Sequence, residues 1–363
     1  MKAYKGSIID NVEVIRLGAP LHSQIELTSS CQYECFFCYN IWKTKDSKIK
    51  GSSLTREQAF KVAEQLIECK IFSVVLSGGE PTLVNYLHDL IAFFHEADIE
   101  ISMITNGARL DKLYLNKLEK VGLNGIQISM HHFEENIFNK IAGNPKAYEL
   151  TVNGIENSLN VFGAEAININ MVVTSDTVKD ITEMSKFLKS LGVESMSVSL
   201  VSTSGLAAVN RLICDYEDLD NAYNQMVKIS EYMDISFVGG LPFCSLPMDY
   251  NPSVVSMSNI CDAAISQIVI GPNGGLRPCV EWPQEAGNIF QDDLIDIWQN
   301  SEIFEGIRNF KNTPLKCRSC EQVPYCHGGC RASALAVTKD LCGDDPMMKP
   351  WEVCKNGEIC NVS

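Results

Sequence analysis

The stretch Cys31-Gln32-Tyr33-Glu34-Cys35-Phe36-Phe37-Cys38-Tyr39-Asn40 decides the reading of this chain. It sets three cysteines at spacings of four and three on one short segment. Residues Gln24 to Leu27 before it read as a strand, and Ser29 and Ser30 lead into a loop. Three thiolates on one loop can converge on one inorganic cluster, and iron–sulfur clusters are held by cysteine thiolates. Three ligands on a four-iron cube leave one iron open, where a small molecule can chelate. A structural site would be expected to close itself with a fourth protein ligand, as structural zinc sites do. The competing readings are a zinc knuckle and three unrelated buried thiols.

About forty residues on, the next strand ends in Ser77-Gly78-Gly79-Glu80-Pro81-Thr82. Glycines let a backbone approach a ligand closely. Glu80 offers a charge-assisted acceptor to an ammonium group. A lone Gly-Gly-Glu-Pro reads as an ordinary strand-to-helix turn; after a CxxxCxxC loop it reads as part of a site. The two segments together resemble the radical S-adenosylmethionine enzymes, whose cysteine motif carries an aromatic before the last cysteine, here Phe37. The resemblance implies that Cys31, Cys35 and Cys38 hold a [4Fe-4S] cluster. It also implies that Gly78, Gly79 and Glu80 hold the methionine amino group of S-adenosylmethionine.

Bulk properties bound the rest. The chain has 363 residues, 45% of them hydrophobic, enough for one large domain with an appendage or for two. No basic–apolar–small-residue targeting signal opens it, and no apolar run approaches the eighteen residues of a membrane span. A cytoplasmic location is expected. The net charge of −15 argues against nucleic acid as the main partner. Fifteen cysteines are many for a reducing compartment, so the clustered ones read as metal ligands. Ten of them lie beyond residue 240, which marks a domain boundary there. The expected division is an N-terminal segment 1–21, a first domain 22–240 and a cysteine-rich domain 241–363.

Within the first domain strands and helices alternate. Strands are expected at 24–27, 71–76, 99–104, 125–130, 166–173 and 195–201. Helices are expected after the Thr55/Gln58 capping box, at 84–97, 111–121 and 144–162, from Thr177 and at 217–232. Such alternation implies an α/β fold of parallel βαβ units. Ligands then bind at the carboxyl ends of the strands, where the cysteine loop, Gly78-Gly79-Glu80, Asn106 and Ser129 all fall. The resemblance implies a partial (β/α)6 TIM-type barrel and assigns ribose and carboxylate contacts to Asn106 and Ser129. His131 and His132 follow Ser129 and read as loop-packed residues.

The last third has a second cysteine pattern: Cys261, Cys279, then Cys317-x2-Cys320-x5-Cys326-x3-Cys330. It resembles the SPASM extension, which carries two auxiliary [4Fe-4S] clusters and has little regular structure apart from a helix expected over 292–310. By that resemblance Cys261, Cys279 and Cys330 belong to the first cluster, and Cys317, Cys320 and Cys326 to the second. Cys244 could complete the first. Asp345-Pro346-Met347-Met348 puts methionine where the extension commonly has cysteine, so Cys342 or Cys354 is left for the second. Zinc is the alternative metal.

The resemblance implies reductive cleavage of S-adenosylmethionine to a 5′-deoxyadenosyl radical, hydrogen abstraction from a peptide or protein side chain, and an oxidative crosslink or thioether: a ribosomal-peptide maturase. Its partners would be the peptide substrate and a flavodoxin- or ferredoxin-type electron donor; since barely twenty residues precede the first strand, either a separate leader-peptide-binding protein or a substrate without a long leader is expected. The alternatives are an anaerobic sulfatase-maturating enzyme, a small-molecule or tetrapyrrole oxidase, and a non-catalytic electron-transfer protein. Sulfatase-maturating enzymes have Asp directly after the cysteine matching Cys279. Here Val280 stands there and Glu281 follows, a catalytic base candidate from a shifted position.

Overall fold

A computed structural model of the chain describes residues 4–9, 12–44, 49, 51–210, 212–247, 249–257 and 261–349. In chain order the strands are β1 (Tyr4–Ile9), β2 (Val12–Arg16), β3 (His22–Glu26), β4 (Ser73–Ser77), β5 (Glu100–Thr105), β6 (Gly125–Ser129), β7 (Ile167–Val173), β8 (Ser195–Leu200), β9 (Asp234–Phe237), β10 (Ser256–Met257), β11 (Gln267–Ile270), β12 (Gly275–Arg277) and β13 (Gly287–Asn288). The helices are α1 (Arg56–Glu68), α2 (Leu87–Glu96), α3 (Lys112–Lys120), α4 (Glu135–Ala142), α5 (Ala147–Phe162), α6 (Ile181–Ser190), α7 (Gly205–Asn210), α8 (Tyr216–Ile229), α9 (Leu294–Asn300), α10 (Glu302–Arg308), α11 (Val323–Cys326) and α12 (Arg331–Thr338).

The six expected strands are β3 to β8, and they lie side by side in sequence order. One sheet of eleven strands runs β10-β9-β8-β7-β6-β5-β4-β3-β11-β12-β13, parallel from β10 through β11, with β12 and β13 antiparallel. Its end strands are not paired with one another, so the barrel is open. Helices cover one face. Ile167, Ile169, Met171 and Val173 of β7 alternate into the core on that side. On the other face Asn168 and Asn170 bond to serines of β8: Ser197 Oγ donates to Asn168 Oδ1 (2.8 Å) and to Asn170 Oδ1 (3.1 Å). A strand with one apolar and one hydrogen-bonded polar face is what such a barrel wall requires.

Local signals explain several boundaries. Both halves of the Thr55/Gln58 capping box form, and α1 buries Ala59, Val62, Ala63 and Leu66. The helix expected from Thr177 starts later: Val178–Asp180 is a 3-10 turn, Thr177 Oγ1 accepts from Thr174 N (3.0 Å), and α6 begins at Ile181. The single helix expected over 292–310 is two, because Ser301 is extended between α9 and α10. The hairpin β1–β2, α4, α7, α12 and strands β9 to β13 were not legible in the pattern.

The sheet does not stop at residue 240. β11, from the cysteine-rich region, pairs in parallel with β3 over Gln267↔His22 to Ile270↔Ile25. The join is locked by a buried ion pair: the Arg277 guanidinium of β12 against the Glu26 carboxylate of β3, both fully buried. Burial pushes the Glu26 carboxyl up, and Arg277 opposes that. Arg277 also donates to Val280 O (2.9 Å) and Trp282 O (3.4 Å), on either side of Glu281. Removing one partner of such a pair strands the other charge. Glu26→Gln is therefore expected to destabilise the fold by about 3–5 kcal/mol, and Glu26→Gln with Arg277→Met by clearly less. Denaturant unfolding checks both variants; equal losses would show that the pair is not the join.

Candidate active site

The loop after β3 is held from all sides by backbone hydrogen bonds. Glu34 N and Phe36 N donate to Ala142 O (2.8 Å) and Ile141 O (3.3 Å) at the end of α4. Cys38 N donates to Cys35 O (3.1 Å). Tyr33 is buried and its hydroxyl donates to Ala147 O (3.2 Å). Element α7 closes the loop from the far side: Leu206 N donates to Cys38 O (2.9 Å), and Ser204 Oγ to Tyr39 O (3.0 Å). Gly205, with φ +59, has no room for a Cβ, which would stand 2.3 Å from Cys38 O.

Gly78 and Gly79 have a nearer reason to be glycine than a ligand. Gly78 has φ +126, and a Cβ there would lie 2.5 Å from Thr28 O. A Cβ on Gly79 would lie 2.1 Å from Ser30 O. The pair docks onto the lead-in of the cysteine loop, where Gly79 N donates to Thr28 O (2.6 Å) and Glu80 N to Ser30 O (2.8 Å). Glu80 is buried. Its Oε1 accepts from Thr82 N (3.1 Å), Thr82 Oγ1 (2.7 Å) and Thr105 Oγ1 (2.7 Å), and its Oε2 from Asn106 N (2.9 Å). Burial raises its pKa and these donors pull it back. The carboxylate thus ties the ends of β4 and β5 together, and Oε2 has the larger remaining acceptor capacity.

Asn106 stands at the cysteines: its Nδ2 is 3.6 Å from Cys31 Sγ, and its Oδ1 accepts from Gln32 Nε2 (3.0 Å). Ser129 ends β6 and is half-buried. Phe37 is buried and meets the His131 ring edge-on at 4.8 Å. His131 Nδ1 accepts from Val172 N (3.2 Å), and burial lowers its pKa to about 3, so it is a neutral packing residue. His132 is likewise buried, its Nδ1 accepting from Glu134 N (2.9 Å).

Burial pushes the Cys31 thiol up to about 11 and raises Cys35 and Cys38 as well; Cys35 is raised further by the neighbouring Cys38 and Cys31. Lys43 opposes the rise at all three. Such thiols ionise when a cationic centre binds them, which is the requirement of metal ligation.

The C-terminal cysteines form two groups. Cys261, Cys279 and Cys330 line one cavity with Trp282 and His327. Cys317, Cys320 and Cys326 line another. Cys244, which could have completed the group of Cys261, Cys279 and Cys330, instead lines that second cavity, because the turn after β9 carries it there. Cys342 lines neither: its Sγ is 3.7 Å from Lys311 O. Cys354 lies outside the described residues. Among the described residues no three His, Cys, Asp or Glu side chains converge as ligands of one metal ion. The cysteines ring cavities instead, as cluster ligands bound to different irons would.

Glu281 is half-buried, hydrogen-bonded to Ser202 beyond β8, and raised by burial. It lines a chamber of about 990 Å³. The chamber wall combines Ile41, Ser204 and Gly205 beside the first cysteine loop with Glu281, Glu285 and Lys339 from the C-terminal region. Lys43 and Arg277, close to cysteines along the chain, went unnoticed in the sequence, as did Ser202 to Gly205, which only the fold brings to the first cysteine loop.

Residues 25–188 match the Radical SAM superfamily, and residues 261–321 match SPASM, an iron–sulfur cluster-binding domain. The chain is similar to a PqqA peptide cyclase from Ruegeria pomeroyi, 27% identical over 336 residues, 91% of this chain and 87% of that protein. It is also similar to an AdoMet-dependent heme synthase from Methanosarcina barkeri, 24% identical over 88% of this chain and 94% of that one. In fold it is similar to Streptococcus suis SuiB bound to S-adenosylmethionine, with TM-score 0.73 at 20% identity over 96% of this chain and 78% of that one. It is likewise similar to anSMEcpe with bound AdoMet, with TM-score 0.67 at 17% identity over 94% and 92%. The open parallel sheet, the CxxxCxxC loop docked on Gly78-Gly79 and these matches agree, and the chain belongs to the radical S-adenosylmethionine superfamily, with a C-terminal SPASM iron–sulfur domain.

Proposed function

We propose that this enzyme removes a hydrogen atom from a peptide or protein side chain and leads to its oxidative modification, a crosslink or thioether. The observation that carries the reading is the chamber. At about 990 Å³ it is large enough for a length of peptide, and its wall joins Ile41 and Gly205, beside the first cysteine loop, to Glu281 and Pro283 beyond Cys279. The PqqA peptide cyclases and SuiB, solved with its precursor peptide SuiA, support the substrate class. The heme synthase similarity favours a tetrapyrrole as the second reading. A sulfatase-maturating activity is disfavoured by Val280 after Cys279.

Cys31, Cys35 and Cys38 would hold the cluster that chelates S-adenosylmethionine, and Cys261, Cys279, Cys317, Cys320, Cys326 and Cys330 the auxiliary ones. Loaded, the first site would supply a 5′-deoxyadenosyl radical as the hydrogen-abstracting species. The protein's share is orientation and exclusion of water. Asn106, beside Cys31, would meet the bound cofactor, and Phe37 and Ser129 would contribute to the same site. Gly78, Gly79 and Glu80 hold the cysteine loop against β4 and β5. A flavodoxin- or ferredoxin-type donor would supply electrons. No helix among the described residues is long and apolar enough to cross a membrane. The fifteen cysteines, read as reduced metal ligands, support a cytoplasmic location.

Two outcomes test this reading. Cys31→Ala, Cys35→Ala and Cys38→Ala should each abolish 5′-deoxyadenosine formation under dithionite; persistence in the triple variant would refute the assignment. Glu281 would take a proton from the substrate heteroatom during oxidation. Its raised pKa means that the basic form is gained only as pH rises above the ordinary carboxylate range. Product formation in the wild type should therefore climb with pH through that limb. Glu281→Gln should lose the limb and on the order of 10²-fold of product while 5′-deoxyadenosine continues to form. An unchanged product profile would make Glu281 a wall residue only.

A further inference from the structure

Four cysteines share the second cavity of the C-terminal region: Cys244, Cys317, Cys320 and Cys326. The remaining lining includes Pro242, Phe243, Val323 and Met348, so the hollow is apolar. Three of the cysteines come from one short block, and the fourth comes from the turn that leaves β9. That turn is firmly placed. Leu241 and Leu246 are buried on either side of it, Ser245 N and Ser245 Oγ both bond to Pro242 O (2.9 and 2.7 Å), and Phe243 to Ser245 form a 3-10 turn. Phe243 N, the amide just before Cys244, donates to Cys326 Sγ at 3.3 Å. Amides that donate to cysteine sulfur are a usual part of an iron–sulfur environment and tune its potential.

Met348 enters the same cavity from the other side. It is buried, and Lys349 Nζ beside it donates to Leu246 O (3.2 Å), which holds the Asp345-to-Lys349 segment against the Cys244 turn. A thioether is a weak, neutral donor beside three thiolates. Cys244 offers a thiolate.

We propose that Cys244 is the fourth protein ligand of the auxiliary centre held by Cys317, Cys320 and Cys326. This rests on the reading of that block as a cluster site. The second centre is then closed by cysteine on every corner and pins the exit of β9 to the C-terminal region. Cys244 is thereby withdrawn from the first group, where Cys261, Cys279 and Cys330 remain, while Glu281 lines the chamber.

The test uses the full-length enzyme after anaerobic iron–sulfur reconstitution. Differential alkylation read by mass spectrometry should find Cys244 protected together with Cys320, which is exposed in the fold without metal, and both labelled after chelation of the iron. Cys244→Ser should lose up to about four irons per chain or yield a three-iron signal in electron paramagnetic resonance. Cys320→Ser should give the same signature, and the double variant no further loss. Cys342→Ser, Cys354→Ser and Met348→Leu should keep full iron. Cys244 alkylated as fast in the loaded enzyme as in the stripped one would overturn the proposal, as would full iron in Cys244→Ser. The wild-type footprint decides the matter even where a variant does not fold. Bound zinc with Cys244 protected would retain the ligand set and overturn the cluster reading alone, and none of these measurements depends on peptide turnover.

Discussion

The structure depends on one buried contact between opposite charges, Glu26 with Arg277. Taking both groups out of water is costly, and only close pairing with further hydrogen bonds offsets it. Arg277 meets that condition by also bonding Val280 O and Trp282 O. The consequence reaches in two directions. Glu26 ends β3, which leads directly into the Cys31–Cys38 loop. Arg277 ends β12, which leads directly into Cys279 and Glu281. One ion pair therefore sets the position of the first cysteine group relative to the second, and β11 beside β3 carries the same join through backbone hydrogen bonds.

Around that axis the chain uses close backbone approach instead of side-chain packing. The Gly78-Gly79 backbone meets that of Thr28 to Ser30, and Gly205 meets Cys38 and Tyr39, at distances a Cβ would forbid. The cysteine loop has little regular structure of its own, so these contacts supply its order. Glu80 does the same at the next layer, where four donors from Thr82, Thr105 and Asn106 converge on one buried carboxylate. A buried charge so thoroughly hydrogen-bonded is rigid, and rigidity is what a site must have to direct a reactive species at one carbon.

The thiols carry the opposite message. Burial pushes Cys31 up to about 11 and Cys279 up to about 12, and raises Cys38, Cys261 and Cys330 too. Lys43 at the first group and Arg277 and Arg331 near the auxiliary ones only moderate this. These are poor environments for thiolate anions by themselves and suitable ones for thiolates neutralised by iron. Metal binding would then contribute to the fold of the region that has least apolar surface to bury.

Sequence alone determined the six parallel strands β3 to β8, because hydrophobic runs between glycine-rich turns need no partner to be recognised, and the Thr55 capping box, because its two hydrogen bonds are local. It determined the CxxxCxxC loop, Gly78-Gly79-Glu80 and the grouping of Cys261, Cys279 and Cys330 apart from Cys317, Cys320 and Cys326 through its likeness to known families. What the tertiary structure decided is everything that joins residues far apart in the chain. Short strands such as β12 and β13 have too few residues to show a period. The Glu26–Arg277 pair joins residues 251 positions apart in the chain, so neither residue announces its partner. The closing of the loop by α7 depends on where β8 ends. Cys244 reads as a neighbour of Cys261 along the chain, yet the β9 turn swings it to Cys326, because proximity along a chain constrains position only until a turn redirects it.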